Sequence, residues 1–200
     1  MIFVPGALVD HRAYAGILRQ LADRGIVTVR LNLDPLRMPV PFYRYSTPTG
    51  MKAIMQQVQT VHQIQVQNWT LAGHSAGAST VADMVRKQQL GPDMNRVVLW
   101  GIVTTQDLEH YPHVRGLCVA ASKDGFKGNS MGRGAPTFDS WEALHPRLQY
   151  VEVQGGNHGG FADYPHQTFP RNDGEREISL AEQHQQVVQA TAQFLLSCKE

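Results

Sequence analysis

One pentapeptide constrains this chain more than any other feature. Gly73-His74-Ser75-Ala76-Gly77 lies between an apolar run, Trp69 to Ala72, and a segment with helical spacing through Thr80 to Lys87. A strand that turns into a helix within so few residues forces the central residue into a strained backbone conformation and leaves no room for flanking side chains, hence the glycines. Small residues at Ala76 and Ala78 agree. The same turn points the Ser75 hydroxyl outward and aims the N–H of Ala76, at a helix start, towards any oxyanion formed there. A Gly-rich turn that merely packs closely is the competing reading, and the strand-to-helix context argues against it.

The rest of the chain alternates strands with helices. Ile2 to Val4 reads as a short strand ended by Pro5-Gly6, and Tyr14, Ile17, Leu18 and Leu21 recur at helical spacing until Gly25. Ile26 to Leu31 reads as the next strand, the Pro-rich stretch Pro35 to Pro48 as a long loop, and Met51, Ile54, Met55, Val58 and Val61 as the buried stripe of a second helix. Strands are expected at Trp69 to Ala72, Val97 to Val103, Leu117 to Ala121 and Tyr150 to Val153, giving six. Ser179 and Glu182 form a capping box ahead of a last helix carrying Val187, Val188, Thr191, Phe194 and Leu195. Strands separated by helices imply right-handed crossovers and a mostly parallel sheet covered on both faces, with ligands beyond the carboxyl ends of the strands.

Composition bounds the size and the partners. The 200 residues, 42% hydrophobic and 18% charged, fit a single domain over 1–200. Eighteen Lys and Arg against seventeen Asp and Glu leave a net charge of +1, too little to hold nucleic acid or an anionic membrane by bulk electrostatics. No apolar segment is long enough to span a bilayer, and Met1 to Val9 is too short and too broken for a signal peptide. Cys118 and Cys198 lack CxxC spacing, so a reducing, cytoplasmic setting is expected; a processed or truncated start leaves the compartment open.

A serine hydroxyl is a weak nucleophile at neutral pH, so a histidine must take its proton and a carboxylate must orient that histidine. Of nine histidines only His158, in Gly155-Gly156-Asn157-His158-Gly159-Gly160, lies in the loop just after the last strand. Asp124, directly after the Leu117 to Ala121 strand, is the expected acid, with Asp107 after the preceding strand as runner-up. Asp34 precedes Ser75 and breaks the expected order of serine, acid, histidine. The second oxyanion donor is expected in the loop after the first strand, at Ala7 or, one residue on, at Leu8. Asp163 and Tyr164 are read as braces of the histidine loop.

These residues resemble the α/β-hydrolases, and within them a group of small bacterial-type hydrolases that are dienelactone-hydrolase-like or esterase-like. The matching segments are Val4 to Asp10 with Tyr14, the turn at Gly73 to Gly77, Asp124-Gly125, and Gly156-Asn157-His158 followed by Phe161, Asp163, Tyr164 and Gln167. Asp173-Gly174, Ile178-Ser179 and Glu182-Gln183 extend the likeness. The resemblance implies an α/β-hydrolase fold with Ser75 as nucleophile, Asp124 as acid and His158 as base. Three departures stand out: Ala7 and Ala78 where the family often has glycine, and an enlarged loop at Thr168 to Asn172. The early edge strands of the fold are expected to be missing, because the chain starts within what the fold counts as its third strand.

Residues 104–116 leave no room for a large helical cap, so an open cleft is expected, walled by Phe42, Tyr43, Tyr45, Phe126, Trp141 and Phe161, with Leu8 and His74 also near the substrate. No cofactor is expected. A metal site built on His110 and His113, or on Asp163 and His166, is disfavoured, because Pro112 and Pro165 keep those pairs off one helical face. The favoured function is a serine carboxylesterase acting on small or medium esters. The alternatives are a non-catalytic binding or interaction protein of the same fold, or an acyltransferase or lactone hydrolase using the same triad.

Overall fold

Ile2, Phe3 and Val4 show how the sheet is covered. Side chains alternate across a strand, so Ile2 and Val4 enter one core cluster and Phe3 the other, all three without solvent exposure. The computed structural model describes residues 1–32, 48–66, 68–87, 90, 94–102, 113–126, 147–169 and 172–197. Within them six strands, β1 (Ile2–Val4), β2 (Val29–Arg30), β3 (Thr70–His74), β4 (Arg96–Trp100), β5 (Arg115–Ala121) and β6 (Leu148–Val153), form one sheet of order β2-β1-β3-β4-β5-β6. Every pairing is parallel.

Four α-helices are described: α1 (Ala15–Ala22), α2 (Pro48–His62), α3 (Ala76–Arg86) and α4 (Leu180–Ser197). On one face Ile17, Leu18 and Leu21 of α1 and Val187, Val188 and Phe194 of α4 pack with Phe3, Trp100 and Val119. On the other, Met51, Met55 and Val58 of α2 and Val81, Met84 and Val85 of α3 pack with Ile2, Leu71 and Leu99. Burying each such side chain contributes about 1.5–3 kcal/mol before entropy is counted, so both helical layers are fixed to the sheet by the same period-two alternation. The buried Trp100 indole N–H is paired, donating to Thr191 Oγ1 at 3.1 Å. The start of α4 is closed by the capping box, Glu182 N–H donating to Ser179 Oγ at 3.1 Å and Ser179 N–H to Glu182 Oε2 at 2.8 Å.

The strand order reverses direction between β1 and β3: the chain runs outward to β2, then returns past β1 and proceeds to β6. In a parallel sheet that reversal leaves a crevice at the carboxyl ends of the two strands. The loop after β1 carries Ala7, and the turn after β3 carries Ser75.

Three sequence-based bounds shift. The strand expected over Ile26 to Leu31 shrinks to Val29–Arg30, because it pairs only with the three-residue β1, in the register Ile2 to Val29 and Phe3 to Arg30. The strand expected to reach Val103 ends at Trp100, where Gly101 turns the chain with φ of 67°. The third helix starts at Ala76, directly after the serine, rather than at Thr80. The Pro-rich loop, Asp34, and most of the span read as excluding a cap lie outside the described residues.

Candidate active site

The turn after β3 is built by close backbone approach. A Cβ on Gly77 would overlap the carbonyl oxygens of Val4 and Pro5, and one on Gly73 would stand 2.5 Å from the carbonyl carbon of Gly77. Only glycine fits at either position, so β1, β3 and α3 lock together around the residue between them. That residue, Ser75, has φ of 54° and ψ of −124°, a conformation that costs a non-glycine residue of order 1–3 kcal/mol. Its N–H donates to the Trp100 carbonyl at 2.9 Å, and its hydroxyl makes no capping bond to the helix. Both Ser75 and Ala76 are partly exposed. As the first residue of α3, Ala76 has an N–H without an intrahelical acceptor.

Facing this turn is a carboxylate–imidazole pair. His158 Nδ1 and Asp124 Oδ2 lie 2.8 Å apart, with the two side chains only 3% and 6% exposed. The other Asp124 oxygen accepts the Phe126 N–H at 2.8 Å. With Asp124 ionised, Nδ1 carries the proton it donates and Nε2 is left as the acceptor. The ring is held between Phe126, stacked at 4.5 Å between centroids, and His74, at 4.6 Å. Its Cε1 comes within 3.2 Å of where a Cβ on Gly101 would sit. Gly101 follows the residue that accepts the Ser75 N–H, and His74 precedes Ser75, so the imidazole stands beside the serine turn. Among the described residues the Ser75 hydroxyl makes no hydrogen bond; contacts of this kind commonly tighten only with substrate present.

The loop that carries Ala7 is tied to the same turn. Gly6 N–H donates to the Tyr14 hydroxyl at 3.0 Å, and that hydroxyl meets His74 Nδ1 at 2.8 Å. His74 is wholly buried, and burial first, then the charge of His158, holds its titration well below the ordinary imidazole value. It is a neutral spacer whose Nε2 finds no partner among the described residues. With Gly6 N–H committed, Ala7 and Leu8 remain the candidate donors in this loop; Leu8 has φ of 63° and its side chain is 52% exposed.

Two residues read from the sequence as substrate contacts are corrected. His74 and Phe161 are both fully buried, their ring centroids 5.2 Å apart in a tilted contact, so neither reaches a ligand. Phe126 is partly exposed and covers the His158 ring. Leu8 lines a pocket of about 770 Å³ with Ala7, Tyr164, His166 and Phe169, beside the crevice. Phe42, Tyr43, Tyr45, Asp107, His110 and Trp141 lie outside the described residues.

The brace of the histidine loop is also not where the sequence suggested. Asp163 is exposed and, among the described residues, hydrogen-bonds through its N–H, to the Ala13 carbonyl at 2.8 Å, while the Tyr164 hydroxyl goes to Gln167 at 3.0 Å. The loop is held instead by Asp173 and Gln183. Asp173, 7% exposed, accepts N–H bonds from His158 and Gly159. Gln183, fully buried on α4, accepts the Asn157 N–H at 3.1 Å and donates to the Asn157 carbonyl at 2.7 Å. The sequence showed both only as parts of a family likeness; Asp173-Gly174 also reads as an ordinary turn, and Gln183 as an exposed residue of a capped first turn.

A sequence model described as the alpha/beta hydrolase family matches residues 1–186. The chain belongs to the alpha/beta hydrolase family. A solved structure agrees on the fold. S-formylglutathione hydrolase (FrmB) from Staphylococcus aureus superposes with a TM-score of 0.59 at 14% identity, covering 98% of this chain and 80% of that one. An extracellular alpha/beta-hydrolase from a Paenibacillus species, described as sharing structural and functional homology with Tobacco Salicylic Acid Binding Protein 2, gives a TM-score of 0.49 at 9% identity over 85% of this chain and 93% of that one. No curated protein sequence matches the chain. Among the described residues of this alpha/beta hydrolase no helix is long and apolar enough to cross a membrane.

Proposed function

We propose that this alpha/beta hydrolase is a serine carboxylesterase acting on small or medium esters. The observation that carries the reading is the buried Asp124–His158 hydrogen bond set against the strained serine turn. Ser75 Oγ attacks the ester carbonyl carbon as its proton passes to His158 Nε2. The negative charge that forms on the carbonyl oxygen is met by the N–H of Ala76 and by that of Ala7 or Leu8. The tetrahedral adduct then breaks its bond to the alcohol oxygen, which leaves with the proton held by His158, and an acyl-enzyme remains. Water attacks the acyl carbon, gives a proton to His158, and the acid is released as that proton returns to Ser75. Asp124 holds the Nδ1 proton throughout, so that Nε2 is the nitrogen that takes and returns the transferred proton.

The pocket of about 770 Å³ is lined by Ala7 and Leu8 but not by Ser75, Ala76, Asp124 or His158, so it adjoins the oxyanion loop and does not itself define the substrate's size. A fluorophosphonate probe tests the reading: labelling at Ser75, lost in Ser75→Ala, is the expected result. Folded protein that takes no label would favour the non-catalytic binding protein instead. A hydrolysis screen over acyl chain length, with an alcohol added as competing acceptor, then defines the substrate and separates hydrolysis from acyl transfer.

A further inference from the structure

Asp124 and His158 sit on separate loops, after β5 and after β6, and nothing in their own hydrogen bond fixes those loops to each other's backbone. The stretches leading up to them are joined directly, Lys123 N–H donating to the Gly156 carbonyl at 2.8 Å and Gly155 N–H to Ser122 Oγ at 2.7 Å, and a second carboxylate ties the loops at the two residues themselves. Asp173 Oδ1 accepts the N–H groups of Gly125 at 3.0 Å, His158 at 3.1 Å and Gly174 at 2.8 Å. Asp173 Oδ2 accepts that of Gly159 at 2.7 Å. One buried side chain thus joins the residue after the acid to the base itself and to the residue after the base. The contact is tight: a Cβ on Gly125 would stand 2.8 Å from Asp173 Cα. Asn157, just before the histidine, adds a second tie by donating from Nδ2 to the Gly174 carbonyl at 2.8 Å.

We infer that Asp173 is a positioning residue of this site: it sets the separation and orientation of the Asp124 and His158 loops, and through them the aim of the imidazole at Ser75. The inference rests on the serine-hydrolase reading above. A carboxylate suits this place because it is acceptor-only, and four N–H groups converge on it. An amide cannot replace it. In Asp173→Asn the amide oxygen can serve the three donors on the Oδ1 side, but its NH2 then faces the Gly159 N–H, donor against donor, and the base loop must shift.

The test pairs turnover with a direct view of the imidazole. In wild-type protein the His158 Nδ1 proton, held to a carboxylate at 2.8 Å, gives a low-field proton NMR resonance, assigned by its loss in His158→Gln. In folded Asp173→Asn that resonance is expected to move or broaden. kcat on a p-nitrophenyl ester should fall about a hundredfold, the scale of a misplaced catalytic group, with KM little changed. Wild-type kcat in this variant, or a lowered kcat with the resonance unmoved, overturns the inference. If Asp173→Asn does not fold, Asp173→Glu carries the test, its longer side chain displacing the accepting oxygens, with a smaller loss of kcat and the resonance moved in the same way; unchanged kcat with the resonance unmoved there overturns it equally. Wild-type protein that takes no fluorophosphonate label defeats the hydrolase reading, and the resonance still tests the positioning. A variant that labels at the wild-type rate defeats the positioning alone.

Discussion

The turn at Ser75 and the loops at Asp124 and His158 meet in one site but are held by opposite means. Around Ser75 the chain is fixed by side chains that are not there: Gly73 and Gly77 let β1, β3 and α3 approach until any added carbon would overlap backbone. Around His158 it is fixed by side chains that reach far along the sequence, Asp173 and Gln183 to the base loop and Asp124 to the imidazole. Steric closeness is rigid and tolerates no substitution. Hydrogen-bonded bracing is specific but local, because each bond can be lost without displacing the sheet beneath it. Substitutions in the two regions should therefore separate function from folding.

The largest effect is expected on the hydrogen-bonded side and should be functional. In Asp124→Asn the carboxamide cannot hold His158 in the tautomer that leaves Nε2 free. Turnover of a p-nitrophenyl ester should fall on the order of 10⁴-fold, as when an orienting carboxylate is lost elsewhere. The thermal midpoint should change little, since the sheet and both cores are untouched. Asp107→Asn, run beside it, should retain near wild-type turnover; the reverse ranking moves the acid to Asp107.

Gly77→Ala should do the converse. Its Cβ would meet the carbonyl oxygens of Val4 and Pro5, atoms of β1 and its exit that cannot move without breaking the pairing of β1 with β3. Overpacking of this kind costs about 1–3 kcal/mol where neighbours can yield, and more where they are backbone. Thermal denaturation should show a large drop in midpoint or no cooperative transition. A Gly77→Ala protein as stable as wild type would mean that the turn is looser than its geometry implies.

That contrast also explains what could be read from sequence. Steric constraints act between residues close in the chain, so they leave a local pattern: the glycines flanking Ser75, the apolar run before it, the helix after it, and hence the elbow and the parallel sheet. Capping is equally local, and Ser179 with Glu182 announced the start of α4. Asp124 and His158 were legible because each directly follows a strand. Asp173 was not, since its four bonds join residues from 125 to 174 and nothing nearby marks it as more than a turn. Burial was the other gap. His74 and Phe161 sit next to chemistry in the chain, yet their direction is set by how Tyr14, Trp100 and His158 pack around them.

Gln183→Ala sharpens the comparison from the braced side. It leaves the N–H and the carbonyl of Asn157 buried without their partner, and each unsatisfied group costs about 1–3 kcal/mol. The expected result is a moderate loss of stability in urea denaturation together with reduced turnover, because the released residue adjoins His158. Loss of stability with turnover intact would show that α4 supports the fold alone.

The smallest expected effect lies on the steric side and is a dependence on pH. His74 is buried within the elbow, and its titration is lowered well below the ordinary value of 6.5, mainly by burial. Below pH 6.5 the unfolded chain takes up a proton at this position that the folded chain refuses. The unfolded state then binds more protons, so stability is full above pH 6.5 and is lost as the pH falls, by about 1.4 kcal/mol for each pH unit until the folded imidazole also titrates. Urea denaturation at steps from pH 7.5 to pH 5 should show this slope in the wild type and a shallower one in His74→Gln, whose amide cannot be protonated in that range. Equal slopes would mean that His74 accepts its proton without disturbing the elbow, and the tight packing inferred around Ser75 would have to include room for a charge.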